Sequence, residues 1–158
     1  TDTAMPPHQP THKPAGQPLP RYLHLPPGDA PPEMDRATPF RAVVVADAEV
    51  QMPWRLLVCD WLVRSGCLYL MAWGRDCKLW HDCVDECHLA MFDFGDIPDE
   101  RHVMTTWHDD EPLGEVFWFC QNCTSDPYVD LARTIILHVA PAPREAELLA
   151  AYRAAAGA

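Results

Sequence analysis

From Phe40 onward the chain alternates between short apolar runs and longer stretches whose apolar residues recur with the helical period. Phe40-Arg-Ala-Val-Val-Val-Ala46 is β-branched and almost uninterrupted, the pattern of a buried strand, and it stops at Asp47. Pro53 suits the first turn of a helix in which Trp54, Leu57, Val58, Trp61 and Leu62 line one stripe, with Gly66 just past its end. Cys67-Leu-Tyr-Leu-Met-Ala-Trp73 predicts a second strand closed by Gly74. Asp76 is then placed to cap a helix that runs to about Phe92, with Leu79, Trp80, Cys83, Val84, Cys87 and Met91 on one face. His102-Val-Met-Thr-Thr-Trp107 is a shorter, more polar strand, and Asp109, Asp110 or Glu111 is expected to cap a helix that carries Pro112 early and buries Leu113, Val116, Phe117 and Cys120. Thr134-Ile-Ile-Leu-His-Val139 predicts a fourth strand, followed by the Ala-rich helix from Arg144 to Ala156.

This βαβαβαβα reading predicts an α/β domain. Its sheet is small and mostly parallel, of about four strands in a Rossmann-like or flavodoxin-like arrangement, with helices on both faces. Both arrangements open a crevice at the carboxyl ends of the strands, where the strand order changes direction. Asp47, the turn from Gly74 to Asp76, and His108 to Glu111 all follow strands, so they are expected to share that edge.

Residues 1–39 break the pattern. Eleven of the seventeen prolines lie there, without apolar periodicity, so the segment reads as a Pro-rich disordered or extended tail, and residues 40–158 as a single domain. No apolar run reaches the roughly 18 residues of a membrane span, and no secretory signal pattern is visible, so no membrane association is expected. Seven cysteines, an odd number set mostly within apolar stripes, suit a reduced cytoplasmic protein better than a disulfide scaffold.

Charge gives the apolar frame a direction. Between Asp76 and Glu115 stand twelve carboxylates and only two cations, Lys78 and Arg101, so nearly all of the formal net charge of −11 is local. Such a surface repels phosphate backbones, which argues against direct nucleic-acid binding, and attracts basic protein surfaces. The run culminates in Trp107-His108-Asp109-Asp110-Glu111, which together with Asp47, Trp73 and Asp76 makes up the expected ligand or partner edge.

Three kinds of chemistry can be weighed at that edge. Asp47, Asp109 and Asp110 can supply oxygen ligands to Mg²⁺ or Mn²⁺, although acidic residues at helix starts are also ordinary capping residues. His108, flanked by carboxylates, can serve as an acid or base, and Cys77 at a helix start can gain thiolate character there; the plain alternative is a surface His and a packed Cys. Cys83, Cys87, Cys120 and Cys123 can form a four-thiolate zinc site if the second and third helices lie side by side. Each pair also continues an apolar stripe at a spacing unlike a two-knuckle zinc ribbon, so core packing is the expectation. No cofactor is assigned: a glycine-rich phosphate loop is missing, and Gly74 stands alone.

Three segments, Asp60-Trp-Leu-Val-Arg-Ser-Gly-Cys-Leu-Tyr-Leu-Met-Ala-Trp-Gly74, Phe92-Asp-Phe-Gly-Asp-Ile-Pro98 and Thr105-Thr-Trp-His-Asp-Asp-Glu-Pro-Leu113, resemble an uncharacterised bacterial domain-of-unknown-function family across about residues 40–139. The resemblance implies that the Trp-His-Asp-Asp-Glu edge belongs to the common pattern of that family, and it carries no activity, cofactor or catalytic residue. Two functional expectations remain. One is an acidic binding or regulatory module that docks a basic protein partner through the carboxyl edge. The other is a divalent-metal-dependent enzyme or nucleotide-binding domain acting on a phosphorylated small molecule at the same edge. The lack of a positioned nucleophile or phosphate cradle favours the first, a non-enzymatic role.

Overall fold

The computed structural model describes residues 18–35 and 38–157 of the chain. Among them, strands β1 (Arg21–Leu25), β2 (Phe40–Ala46), β3 (Cys67–Gly74), β4 (Met104–His108) and β5 (Arg133–Val139) form one all-parallel sheet in the order β1-β5-β2-β3-β4. Helices α1 (Met52–Arg64) and α2 (Cys77–Met91) pack against each other over one face, and α3 (Leu113–Cys123) and α4 (Glu145–Ala156) over the other. The α/β alternation read from the periodicity is therefore present. Among the described residues no helix is long and apolar enough to cross a membrane.

The central strand shows why the sequence pattern is so continuous there. All seven residues of β2 are buried, with Phe40, Ala42, Val44 and Ala46 turned to the α1–α2 core and Val43 and Val45 to the α3–α4 core. A strand covered on both faces has no polar side to alternate with.

The sheet has five strands where about four were expected. The additional one, β1, lies within the segment read as a tail and pairs in parallel with β5 from Arg21↔Ile135 to Leu25↔Val139. It occupies a sheet edge, the position that tolerates a short strand with polar residues and flanking prolines, here Pro20 and Pro26. The reading of residues 1–17 lies outside the described residues. The following connection runs along α1, where the indoles of Trp54 and Trp61 donate to the carbonyls of Asp29 and Pro32 at 2.9 and 2.7 Å.

The chain steps from β2 to β3 to β4 and then returns past β2 to lay down β5. Right-handed crossovers in opposite directions place their helices on opposite faces, which separates α2 from α3. The condition for a four-thiolate site, that these two helices lie side by side, is not met.

Helix starts also differ from the expected capping. Asp76 occupies the N-cap of α2, but in the left-handed region (φ 56°) and without a side-chain cap. At α3 the N-cap is Pro112, again without a side-chain cap, so Asp109, Asp110 and Glu111 stand ahead of the helix. Gly74 fits the turn from β3 into α2 for a steric reason. At φ 94° it lies so close to β2 that a Cβ would come within 2.4 Å of the Ala46 carbonyl oxygen, which accepts the Arg75 N–H at 2.8 Å.

Candidate functional site

Because the strands are parallel and in register, Asp47, the Gly74–Asp76 turn and the His108–Glu111 run all emerge along one edge. They do not converge on one point. Strand order reverses between β2 and β5, so Asp47 stands at the switch point, while Asp109 and Asp110 follow β4, two strands away. Two strand spacings amount to roughly 10 Å.

At the switch point a hydrogen-bonded chain links four elements. The imidazole of His138, fully buried in β5, lies with Nε2 at 2.6 Å from the Asp47 carboxylate and Nδ1 at 2.6 Å from the Tyr22 hydroxyl. A carboxylate only accepts, so in the neutral ring Nε2 carries the proton and Nδ1 accepts from the phenol. The Tyr22 oxygen in turn accepts the Arg144 N–H at 2.9 Å, and the Arg144 guanidinium closes the loop on Asp47. Burial holds the Tyr22 phenol above its ordinary pKa, so it remains protonated. Both ring nitrogens are occupied, and the Asp47 charge is met by Arg144. Sequence reading missed Tyr22, His138 and Arg144, although a histidine inside Thr134-Ile-Ile-Leu-His-Val139 was a usable signal, because a buried polar ring requires partners.

His108 is held in a comparable way. Its Nδ1 lies 3.2 Å from the Glu111 carboxylate and its Nε2 2.8 Å from the Thr106 hydroxyl, while the ring packs against Phe119 at 5.1 Å. It is buried and its neighbours come from the α3 side. Cys77 belongs to the core under α1 and α2 on the opposite face, where its thiol meets the backbone of Lys78 and of His108. The sheet thus separates the thiol from the imidazole. Burial pushes the Cys77 thiol up, against the thiolate character expected of a helix start.

Nor do Trp73 and Trp107 line one crevice. Trp73 packs on the α3–α4 side and donates its indole N–H to the Glu111 carbonyl at 2.7 Å. Trp107 lies on the α2 side, with His81 at 4.6 Å and the Lys78 ammonium at 5.6 Å from its ring. The cysteine pairs are parted by the same geometry: Cys83 and Cys87 lie on α2, and Cys120 and Cys123 on α3 across the sheet. Among the described residues no group of three or more His, Cys, Asp or Glu side chains is placed to hold a metal ion.

The open part of the edge is the start of α3. Glu111, Glu115, Trp118 and Phe119 line a shallow depression, with Asp109 and Asp110 exposed just ahead of it. Trp118 is 43% exposed and Trp107 is 45% exposed, large for indoles. Asp110 is held in the left-handed region (φ 58°), which turns the chain sharply between β4 and α3. Carboxylates beside open aromatic faces suit a cation: the acids supply charge and hydrogen-bond acceptors, and the rings attract positive charge through their quadrupole.

Residues 20–155 match the family described as domain of unknown function (DUF7684), and the chain belongs to that family. The match begins just ahead of β1, so it takes in the edge strand as well as the α/β alternation. No curated protein matches the chain. No solved structure matches it either.

Proposed function

We propose that this protein is an acidic, Rossmann-like binding or regulatory module that docks a basic protein partner at the carboxyl edge of its sheet. The observation that carries the proposal is the depression at the start of α3, where Glu111 and Glu115 stand beside Trp118 and Phe119. An arginine of the partner enters it, stacks on the rings and pairs with the carboxylates, while Asp109, Asp110 and the net charge of −11 speed and orient the encounter. The hydrogen-bonded chain from Tyr22 to Arg144 serves as a clasp that fixes the scaffold. Its polar groups are hydrogen-bonded to one another across four elements.

A second reading, a metal-dependent enzyme or nucleotide-binding domain, is favoured by one feature. The strand order puts its switch point at Asp47, where open α/β sheets place ligands. One experiment separates the two: fluorescence anisotropy with a labelled Arg-Gly repeat peptide, run beside thermal melts with and without Mg²⁺ or Mn²⁺. Docking predicts saturable binding that weakens with salt and falls about tenfold in Glu111→Gln/Glu115→Gln, a loss of about 1.4 kcal/mol. No peptide binding, together with a metal-dependent rise in Tm that Asp47→Asn removes, replaces it with the second reading.

A further inference from the structure

The outer surface of α1 and α2 holds an apolar groove of about 430 Å³, lined by Pro53, Leu56, Leu57, Ala90, Cys87 and Phe94 and rimmed by Asp60 and Glu86. On one flank of α1, Trp54 and Trp61 are covered by the connection from β1 to β2. The other flank is open: Leu56 and Leu57 are 47% and 51% exposed, and Phe94 is 69% exposed. Contiguous exposed leucine and phenylalanine in a water-facing groove mark an interaction surface.

Phe94 is displayed there at a cost in backbone conformation. Asp93 and Phe94 both adopt left-handed φ values, 51° and 58°, at the end of α2. That region is unfavourable for a bulky side chain and is normally filled by glycine, yet here Gly95 follows one position later. The Phe94 N–H donates to the Leu89 carbonyl at 2.9 Å, so the turn closes the helix while leaving the ring over the groove. Strain of this kind at an exposed aromatic points to a binding role.

We propose that the groove receives an amphipathic, basic helix from a partner protein. The floor between two packed helices accepts apolar side chains at helical spacing from a third. Charge decides the kind of helix. Asp60 and Glu86 line the groove from α1 and α2, and the Arg64 guanidinium that pairs with Asp60 at 2.8 Å does so in an exposed i,i+4 contact that an incoming cation can replace. Lysines or arginines flanking the apolar stripe of the incoming helix meet these acids. A second copy of this chain instead brings like charges together, because its own rims carry the same two acids. This surface lies on the α1–α2 face, apart from the α3 depression, and the inference does not rest on that depression.

The test uses a labelled peptide of leucine and lysine only, patterned for an amphipathic helix, and a scrambled peptide of the same composition, titrated against the full chain. The patterned peptide binds saturably and gains helical circular dichroism; the scrambled one binds at least about tenfold more weakly, which is the loss of one good apolar anchor. Phe94→Gly abolishes the difference without lowering Tm, because glycine accepts the φ of 58° without strain. Leu57→Asn, an exposed substitution, weakens binding likewise, and Glu111→Gln/Glu115→Gln leaves it unchanged. Equal binding of both peptides, or binding indifferent to Phe94→Gly and Leu57→Asn, overturns the inference. So does a concentration-dependent dimer that Phe94→Gly dissolves in analytical ultracentrifugation, since the occupant is then a second copy.

Discussion

His138 has an apolar neighbour on each side in β5 and is fully buried, so its imidazole relies on Asp47 and Tyr22 for hydrogen bonds that water supplies in the unfolded chain. The same atoms join strand β1, strand β5, the end of β2 and the start of α4. Removing the Asp47 side chain leaves a buried N–H without an acceptor and leaves the Arg144 guanidinium with Glu147 alone. Asp47→Ala is expected to lower stability by about 2 kcal/mol, and Tyr22→Phe, which keeps the ring and loses the hydroxyl, by about 1 kcal/mol. Urea denaturation at neutral pH measures both. The double variant should fall short of their sum, because the two side chains share His138. Strict additivity would show that the network is not coupled.

At the scale of elements, the legible parts were those whose burial imposes a period. β2 and β3 are covered on both faces and wrote themselves as apolar runs; α2 recovered most of its buried stripe, with Trp80, Val84 and Cys87 inside but Leu79 exposed. β1 was illegible for the converse reason. Five residues at a sheet edge, with one neighbour strand and prolines on both sides, carry neither the length nor the periodicity of a strand, and only register with β5 makes them one. The site was legible as an edge, because residues after parallel strands must lie together. It was illegible as a set of contacts, since Cys77 with His108, Trp73 with Trp107, and Cys83 with Cys120 are assigned to opposite faces by strand order. The edge strand carries a direct consequence. A chain beginning at Phe40 loses β1, exposes the ladder groups of β5 and leaves His138 without Tyr22, so it should aggregate or melt well below a chain beginning at Pro18. Light scattering and thermal melts of the two truncations decide the point. Equal Tm and solubility would mean that the first strand is dispensable.

For the molecule as a whole, buried titratable groups set limits on stability at both ends of the pH scale. His88 is buried against Phe92, and its Nε2 accepts the Val103 N–H at 3.3 Å. Burial, then the neighbouring His102, holds its imidazole below the ordinary value of 6.5. The unfolded chain therefore takes up the proton first. Stability from this site is complete above about pH 6.5 and is lost as pH falls toward the folded value. The thiols act at the other end. Burial pushes Cys67 up to about 12 and Cys120 to about 11, from an ordinary value of 9.0. Cys83 rises to about 12, chiefly through its hydrogen bond with Cys59. Here the unfolded chain loses protons first, so stability is complete below about pH 9 and declines as pH rises through the folded values. Chemical denaturation from pH 5 to pH 11 should give a plateau between about 6.5 and 9 with a shoulder on each side. His88→Gln should flatten the acid shoulder and leave the alkaline one, whereas Cys120→Ala should soften only the alkaline one. An acid shoulder that persists in His88→Gln would assign it to other groups and show that the buried imidazole does not govern acid stability.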